Sequence, residues 1–375
     1  MVKLSVNKQV ACVNFTDLSN IFMLFEPLQI RSIRFRNRIA ISPMCQYSSV
    51  DGFANDWHLV HLGSRAVGGA ALVIQEATAV TARGRISPDD MGLWKDEQIE
   101  PLKRITAFIR SQGAVPGIQL AHAGRKASTA APWKGGKPVG IDAGGWITEA
   151  PSPIPFRDFY PVPEALSAEG LEQVKSSFRE AALRALKAGF QVIEIHAAHG
   201  YLFHQFLSPL SNQRTDNYGG SFENRIRLLT ETIVLIRKSW PDEFPLFVRI
   251  SATDWADGGW NPEESVKLAA VLKGLGVDLI DVSSGGLVHY QKIPLGPGYQ
   301  TPFAEKIKKE TGMLTGAVGL ITKPAQAEEI LDSGKADLIL IARESLRNPN
   351  FPLTAAKELQ MDIPWPVQYE RAKNA

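Results

Sequence analysis

A closed α/β barrel of eight strands, the (β/α)8 or TIM-barrel fold, is the architecture that this 375-residue sequence predicts. Short and nearly continuous apolar runs alternate with amphipathic helical stretches, which is typical of a parallel sheet covered by helices. Eight such runs can be counted, the number that closes a barrel. An open dinucleotide-binding sheet would usually show a G-x-G-x-x-G turn after its first strand, and none occurs here. One barrel domain over residues 23–375 is therefore favoured.

The predicted strands and helices follow one another in regular order. The strands span residues 38–42, 70–76, 115–120, 190–196, 246–250, 278–282, 314–318 and 337–341. Ser167 is a candidate N-cap and Gly189 a plausible C′ residue for the helix before the fourth strand. Asn261, Pro262 and Glu264 supply an N-cap, an N1 proline and a capping-box acid for the helix before the sixth strand.

Residues 128–166 break this order with a long segment rich in proline and glycine. A loop of this length is usually functional. It follows the third strand, so it lies at the C-terminal mouth of the barrel, where barrel active sites are found. We expect a cap over the site that contains a short hairpin.

Composition excludes several classes of function. The formal net charge is +2 and the charged fraction 21%, so there is no electrostatic case for nucleic acid or an anionic membrane. No apolar run approaches the roughly 20 residues that a membrane span needs. Cys12 and Cys45 are too few for a disulfide framework, an iron–sulfur cluster or a cysteine-rich zinc site. We therefore expect a reducing, cytoplasmic compartment, with residues 1–22 as a flexible extension.

The first chemical feature is a pair of histidines at the end of the fourth strand. His196 and His199 are three residues apart, so two imidazoles can converge on one small ligand. They could be hydrogen-bonded structural residues, or metal ligands with a third ligand such as Asp254 or Asp257. They could also be donors to a substrate oxygen that becomes an oxyanion. Spacing alone leaves these three interpretations open.

The surrounding sequence resembles the Old Yellow Enzyme superfamily. The similar segments lie at strand ends: ISPMCQY (41–47), EATA (76–79), QLAHAGR (119–125) and HGYLFHQFLSPLSNQRTDNYGGSFENR (199–225). The resemblance covers roughly residues 24–371. Cys45, Tyr47 and the ending QYER (368–371) are similar to the branch that contains thermostable-type ene-reductases and xenobiotic reductases. Larger relatives append a cysteine-clustered segment and a nucleotide-binding domain, and this sequence lacks those cysteines.

The resemblance implies a non-covalent FMN across the barrel mouth and no metal. Pro43, Met44 and Ala77 would line the isoalloxazine, and Gln119 would hydrogen-bond its pyrimidine edge. Arg249 would place a positive charge near N1 and O2, although a buried ion pair within the barrel is an alternative role. The remaining contacts would form the phosphate site that barrels usually build after strands seven and eight. They are Gly319, Ala342 and Arg343, with Ser284, Gly285 and Gly286 as weaker candidates.

The resemblance also implies a reaction. NADPH, or with less support NADH, would reduce the flavin in the substrate's own cavity by ping-pong kinetics. The oxidised substrate, an enone, a nitro compound or a nitrate ester, would then bind its oxygen to His196 and His199. Tyr201 would be the acid, because a phenol is protonated at neutral pH. Tyr47 would contact the substrate, and Cys45 would tune the flavin, unless it is simply a small buried hydrophobe.

The C-terminus implies an oligomer. In the similar branch an arginine near the end completes the neighbouring subunit's active site, and Arg371 is the candidate here, in a homodimer or dimer-based tetramer. The tryptophan often found after that arginine is missing, because the chain continues AKNA.

Two other classes of function remain open. One is a metal-dependent lyase or isomerase that acts on a phosphorylated substrate, and the other is a catalytically inactive binding barrel.

Overall fold

The computed structural model describes residues 22–373 and contains the predicted closed barrel. The strands, in chain order, are β1 Leu28–Ile30, β2 Ile33–Phe35, β3 Ile39–Ile41, β4 Leu72–Ala79, β5 Val115–Ala121, β6 Glu149–Ala150, β7 Glu164–Ala165, β8 Val192–Ala197, β9 Leu246–Ser251, β10 Leu279–Ser283, β11 Leu314–Ala317 and β12 Leu338–Ile341. The barrel consists of β3, β4, β5 and β8 to β12, all parallel, and it closes where β12 pairs with β3. Each predicted strand is confirmed, with shifts of a few residues at its ends.

Helices separate the barrel strands and cover them from outside. Within the described residues they are α1 Asp56–Val67, α2 Ile99–Ser111, α3 Ala168–Lys187, α4 Leu202–Leu207, α5 Phe222–Arg237, α6 Pro262–Gly274, α7 Thr301–Thr311, α8 Pro324–Asp332, α9 Arg343–Arg347 and α10 Phe351–Glu358. The predicted caps are present: Ser167 accepts a hydrogen bond from the Gly170 N–H, and Asn261 accepts one from the Glu264 N–H. None of these helices is long and apolar enough to cross a membrane.

A feature that the sequence did not predict closes the bottom of the barrel. The antiparallel pair β1–β2 packs its apolar side chains under the strands, so that Phe35 shares a buried cluster with Leu72, Phe247 and Leu279. Three-residue strands carry too short an alternation to be recognised. Because β1 and β2 cover the N-terminal end of the barrel, the C-terminal mouth is the open end.

The segment 128–166 lies at that mouth, but it does not contain the expected hairpin of strands. Its two short strands, β6 and β7, pair in parallel, because residues 151–163 carry the chain back before β7 begins. The antiparallel contact in the segment is an isolated bridge between Thr129 and Pro138. Arg214 anchors the base of the segment by donating to the carbonyls of Pro151 and Leu166. The proposed extension, residues 1–22, lies outside the described residues except for Phe22.

Candidate active site

The turn after β8 brings the histidine pair and a tyrosine together. The His196 and His199 ring centres are 5.2 Å apart with nearly perpendicular planes, and the Tyr201 ring lies 4.9 Å from that of His196. His199 has a φ of 58°, a left-handed conformation that non-glycine residues seldom adopt. Its N–H donates to Ser251 Oγ on β9 at 2.9 Å. The hydrogen bond to β9 therefore stabilises a strained turn in which the rings of His199 and Tyr201 both pack against that of His196.

Both histidines are neutral. Burial lowers the pKa of each imidazole well below its usual value, and the positive charge of Arg249 lowers it further. The Ala198 N–H lies 3.3 Å from His196 Nδ1, so this nitrogen accepts and Nε2 carries the ring proton. His199 Nε2 lies 2.7 Å from Ser283 Oγ, and no hydrogen bond within the described residues uses its Nδ1. Each ring therefore keeps one nitrogen for a ligand.

A third metal ligand is not found beside this pair. The Asp254 carboxylate lies 2.8 Å from His204 Nε2 and also accepts from Ser208 Oγ and the Trp260 N–H. Asp257, the other candidate, is exposed on the following loop. No group of three or more His, Cys, Asp or Glu residues in the range 22–373 is arranged to hold a metal ion. The hydrogen-bond donor interpretation of the histidines is compatible with their free ring nitrogens and stays a prediction.

Cys45, Tyr47 and Tyr201 pack together on a small apolar cluster at the mouth. Burial raises the pKa of the Cys45 thiol well above its usual value, and the nearby negative charges of Asp90 and Glu76 add to that effect. Burial likewise raises the pKa of the Tyr201 phenol. Both groups therefore keep their protons at neutral pH.

The floor of the site is formed by the ends of β3, β4, β5 and β9. Pro43 and Met44 are half-buried just after β3, and Ala77 lies at an irregularity in the β4–β5 register. Gln119 is buried on β5 and donates to Glu194 Oε1 at 2.8 Å. Within residues 22–373, no hydrogen bond uses the side-chain oxygen of Gln119.

Arg249 forms the buried ion pair considered for it, and its contact with FMN stays a prediction. Its Nε lies 3.1 Å from Asp281 Oδ2, and its Nη1 donates to Ser42 Oγ, so it does form a buried ion pair inside the barrel. It also lines a cavity that extends towards α9. The Glu194 and Asp281 side chains interact with each other beside Arg249, and burial raises the pKa of both carboxyls. Arg249 therefore places a positive charge next to two carboxyl groups that burial favours in their protonated form.

The cavity, of about 210 Å³, lies at the ends of β11 and β12. Gly319 has a φ of 127°, and a Cβ there would come within 3.0 Å of Gln300 Nε2 and 3.1 Å of the Tyr299 ring. Arg343 is exposed beside Ala342, and no carboxylate oxygen of the described residues lies within 4 Å of its guanidinium. A free guanidinium next to a close backbone approach suits a phosphate group.

Some residues of this cavity were not identified from the sequence. They are Ser283, Tyr299, Gln300, Thr322 and Arg347. Ser283 ends β10 and could have been found from its strand-end position. Tyr299 and Gln300 lie in the loop between β10 and α7, where no motif marks them. Ser283 links the two ends of the site, because it contacts His199 and lines the cavity.

Arg371 lies apart from these residues in its own chain. It belongs to the exposed 3-10 helix Val367–Ala372, whose Tyr369 lines a surface cavity with residues of α10. No hydrogen bond or ion pair within residues 22–373 connects its side chain to the histidine turn. The contribution of Arg371 to the active site of a second copy of the chain stays a prediction.

Comparisons with known proteins identify the family and the fold. Residues 23–362 match the model of the NADH:flavin oxidoreductase / NADH oxidase family. The chain is 51% identical over 350 residues to the NADPH dehydrogenase of Bacillus subtilis, covering 93% of this chain and 98% of the relative. The structure of an old yellow enzyme homologue from Zymomonas mobilis has a TM-score of 0.76 at 26% identity, covering 92% and 94% of the two chains. Morphinone reductase in complex with tetrahydroNAD gives 0.75 at 25%, covering 92% and 93%.

Proposed function

The chain belongs to the NADH:flavin oxidoreductase / NADH oxidase family and is a flavin-dependent NADPH oxidoreductase with FMN as its cofactor, and we propose that it reduces electron-poor C=C bonds. Enones are the proposed substrate class, with nitro compounds and nitrate esters as further candidates. These molecules share a π-system conjugated to an oxygen that becomes negative as a hydride arrives.

The residues present fit FMN. The open guanidinium of Arg343 and the Gly319 backbone would hold the phosphate, with Ala342 beside them. Gln119 would hydrogen-bond the pyrimidine edge, and the Pro43–Met44 backbone and Ala77 would line the ring. Arg249 would offset negative charge on the ring, as its position on the floor allows.

The histidine pair would bind the substrate oxygen. When bound, FMN supplies a hydride acceptor for NADPH and a hydride donor for the β-carbon of the alkene. His196 offers its Nε2–H, and His199 can offer Nδ1–H when Ser283 donates to its Nε2. Since both rings are neutral, they stabilise the developing enolate by hydrogen bonding without giving up a full proton. One such donor is worth roughly 2.7–4 kcal/mol in comparable oxyanion holes.

Tyr201 would deliver the proton to the α-carbon. Its ring packs against His196, so its hydroxyl can lie beside a substrate that both histidines hold. Burial raises its pKa, which keeps the phenol protonated and ready to donate at neutral and mildly alkaline pH. Tyr47, which shares the apolar cluster, would contact the substrate, and Cys45 would adjust the flavin potential.

Arg371 would act in a neighbouring subunit. Its exposed position, away from its own histidine turn, supports a contribution in trans within a homodimer or dimer-based tetramer. A guanidinium supplied there would add positive charge near the substrate oxygen or the nicotinamide.

The observation that carries the proposal is the pair of neutral, perpendicular imidazoles beside a buried phenol. The test is to purify the protein, confirm bound FMN by its yellow colour, and reduce it anaerobically with NADPH. Adding cyclohexenone should restore the oxidised spectrum and yield cyclohexanone. A protein that bleaches with NADPH but is never reoxidised by any enone, nitro compound or nitrate ester would contradict the proposed substrate class.

A further inference from the structure

Three cations converge on one aromatic ring at the barrel mouth. The side-chain charges of Arg125, Lys126 and Arg157 lie 6.0, 4.8 and 5.3 Å from the centre of the Phe156 ring. Arg125 and Lys126 follow β5, whereas Phe156 and Arg157 belong to the segment 128–166. We call these four residues the Phe156 cluster.

No acid neutralises this cluster at close range. Within residues 22–373, no carboxylate oxygen lies within 4 Å of any of the three cations. Burial lowers the pKa of Lys126 to about 7, and the positive charges of Arg125 and Arg157 contribute to the lowering. Arg125 is 3% exposed, and its Nε has no hydrogen-bond partner. Three like charges around one ring repel one another, so a bound anion would stabilise them all.

The cluster has both a free donor and an opening to solvent. Lys126 Nζ donates to the carbonyl oxygens of His199 and Gly286, which leaves one of its three N–H groups unused. Arg157 is exposed, so an anion can approach from outside. Lys126 Nζ also lies 5.0 Å from the centre of the Tyr201 ring, at the edge of the proposed substrate site. An anion bound here would therefore lie close enough to that site for the rest of the same molecule to enter it.

We propose that the Phe156 cluster binds a phosphate group of the nicotinamide dinucleotide while its nicotinamide ring occupies the substrate site. The inference rests on the proposed function in one respect, that reductant and substrate share one cavity. The described residues form one barrel, and the Phe156 cluster lies at its mouth beside the proposed substrate site, where the charged half of the reductant can reach it. Arginine and lysine are the side chains that recognise phosphate, and the segment 128–166 supplies the exposed one.

The test compares reductants with and without phosphate. Variants Arg157→Gln and Lys126→Gln are prepared as FMN-loaded enzymes, with Lys134→Gln as the matched control. Lys134 is an exposed cation on the same segment, but Asp89 already pairs with it at 2.7 Å. Flavin reduction is followed anaerobically by rapid mixing with NADPH, NADH or 1-benzyl-1,4-dihydronicotinamide, which carries no phosphate, and no alkene is added.

Arg157→Gln should raise the NADPH concentration for half-maximal reduction about tenfold, the effect of losing one charged hydrogen bond. Its reduction by the benzyl compound, and every rate of Lys134→Gln, should match wild type. Calorimetric titration of the oxidised enzymes with NADP+ should show the same loss of affinity. An equal loss with NADPH and NADH would assign the pyrophosphate to the cluster, and a loss with NADPH alone would assign the 2′-phosphate.

Two results would overturn the inference. One is an Arg157→Gln enzyme that keeps wild-type affinity for NADPH, NADH and NADP+. The other is an equal loss with the phosphate-free reductant, which would mean that the change disturbs the site itself. Lys126 also donates hydrogen bonds to the His199 and Gly286 carbonyls, so Lys126→Gln can disturb the histidine turn. If Lys126→Gln reacts slowly with the phosphate-free reductant, the result for Arg157→Gln alone decides the test. The test measures flavin reduction without an alkene. Its outcome is therefore independent of whether the enzyme reduces enones, so failure of the proposed substrate class can be distinguished from failure of this inference.

Discussion

The two ends of the candidate site differ in what forms them. Backbone geometry shapes the end at Gly319, whereas side-chain rings line the end at His196. The end proposed to hold the phosphate has a glycine whose Cβ would lie 3.0 Å from Gln300 and 3.1 Å from Tyr299, and an arginine with no carboxylate of residues 22–373 within 4 Å. The substrate end depends on two imidazoles whose charge is set by burial and whose orientation is set by Ala198 and Ser283.

This difference means that binding of the cofactor and turnover of the substrate can be separated by mutation. Changes to backbone geometry at one end should release FMN, and changes to side chains at the other should slow the reaction in an enzyme that keeps its FMN. The link between the ends is Ser283, which contacts His199 and also lines the phosphate cavity.

The largest effect is expected at the histidine pair. His196→Ala or His199→Ala should slow reoxidation of the reduced flavin by cyclohexenone on the order of 10²-fold, because each removes a donor to the developing enolate. FMN content should remain that of wild type, since neither ring lies in the phosphate cavity. Stopped-flow absorbance measures the rate. If both single variants reoxidise at the wild-type rate, the oxyanion role is wrong.

The next effect is expected at the opposite end. Gly319→Ala should weaken FMN binding about tenfold or more, because a φ of 127° is strained for any residue with a Cβ, and that Cβ would press to 3.0 Å from Gln300 Nε2. Gly334→Ala is the matched control: its φ is also positive, 71°, but a Cβ there would meet nothing within 4 Å. Release of FMN on dialysis, read by its fluorescence, distinguishes the two. Equal retention by both variants would contradict a phosphate site at Gly319.

A smaller effect is expected at Cys45, which packs on the same apolar cluster as Tyr47 and Tyr201. Cys45→Ala should keep FMN but shift its reduction potential, because the variant removes a polarisable, protonated thiol from its proposed position beside the flavin. The two half-reactions should change by different factors. Potentiometric titration and rapid mixing measure these quantities, and wild-type values in all of them would make Cys45 a packing residue.

The smallest effect is expected at the C-terminus. Deleting residues 366–375 should raise KM several-fold and weaken self-association without loss of FMN, since Arg371 lies away from its own site. The substitution Arg371→Gln in the full chain separates the lost charge from the lost interface. Sedimentation and steady-state kinetics are the measurements. A truncated enzyme that assembles and turns over like the full chain would refute the shared site. Residues 366–375 would then be a frayed chain end, as most chain ends are.

Several features of the fold were accessible from the sequence because they are local. The apolar runs of β8 and β9 and the caps at Ser167 and Asn261 depend on residues close together in the chain. Once eight such units are recognised, barrel geometry places all the strand ends at one mouth, so residues as distant in sequence as Tyr47 and Tyr201 could be expected in one site.

By itself, then, the sequence determined the order of strands and helices and, through its motifs, the family and the set of candidate residues. The tertiary structure decided which ring nitrogen of His196 is free, how Arg249 is paired, and that Gln300 reaches the phosphate cavity. It also decided that β6 and β7 run parallel and that three cations surround Phe156. The physical reason is that hydrogen bonding, charge and burial depend on distances between residues far apart in the chain, which neither periodicity nor spacing encodes.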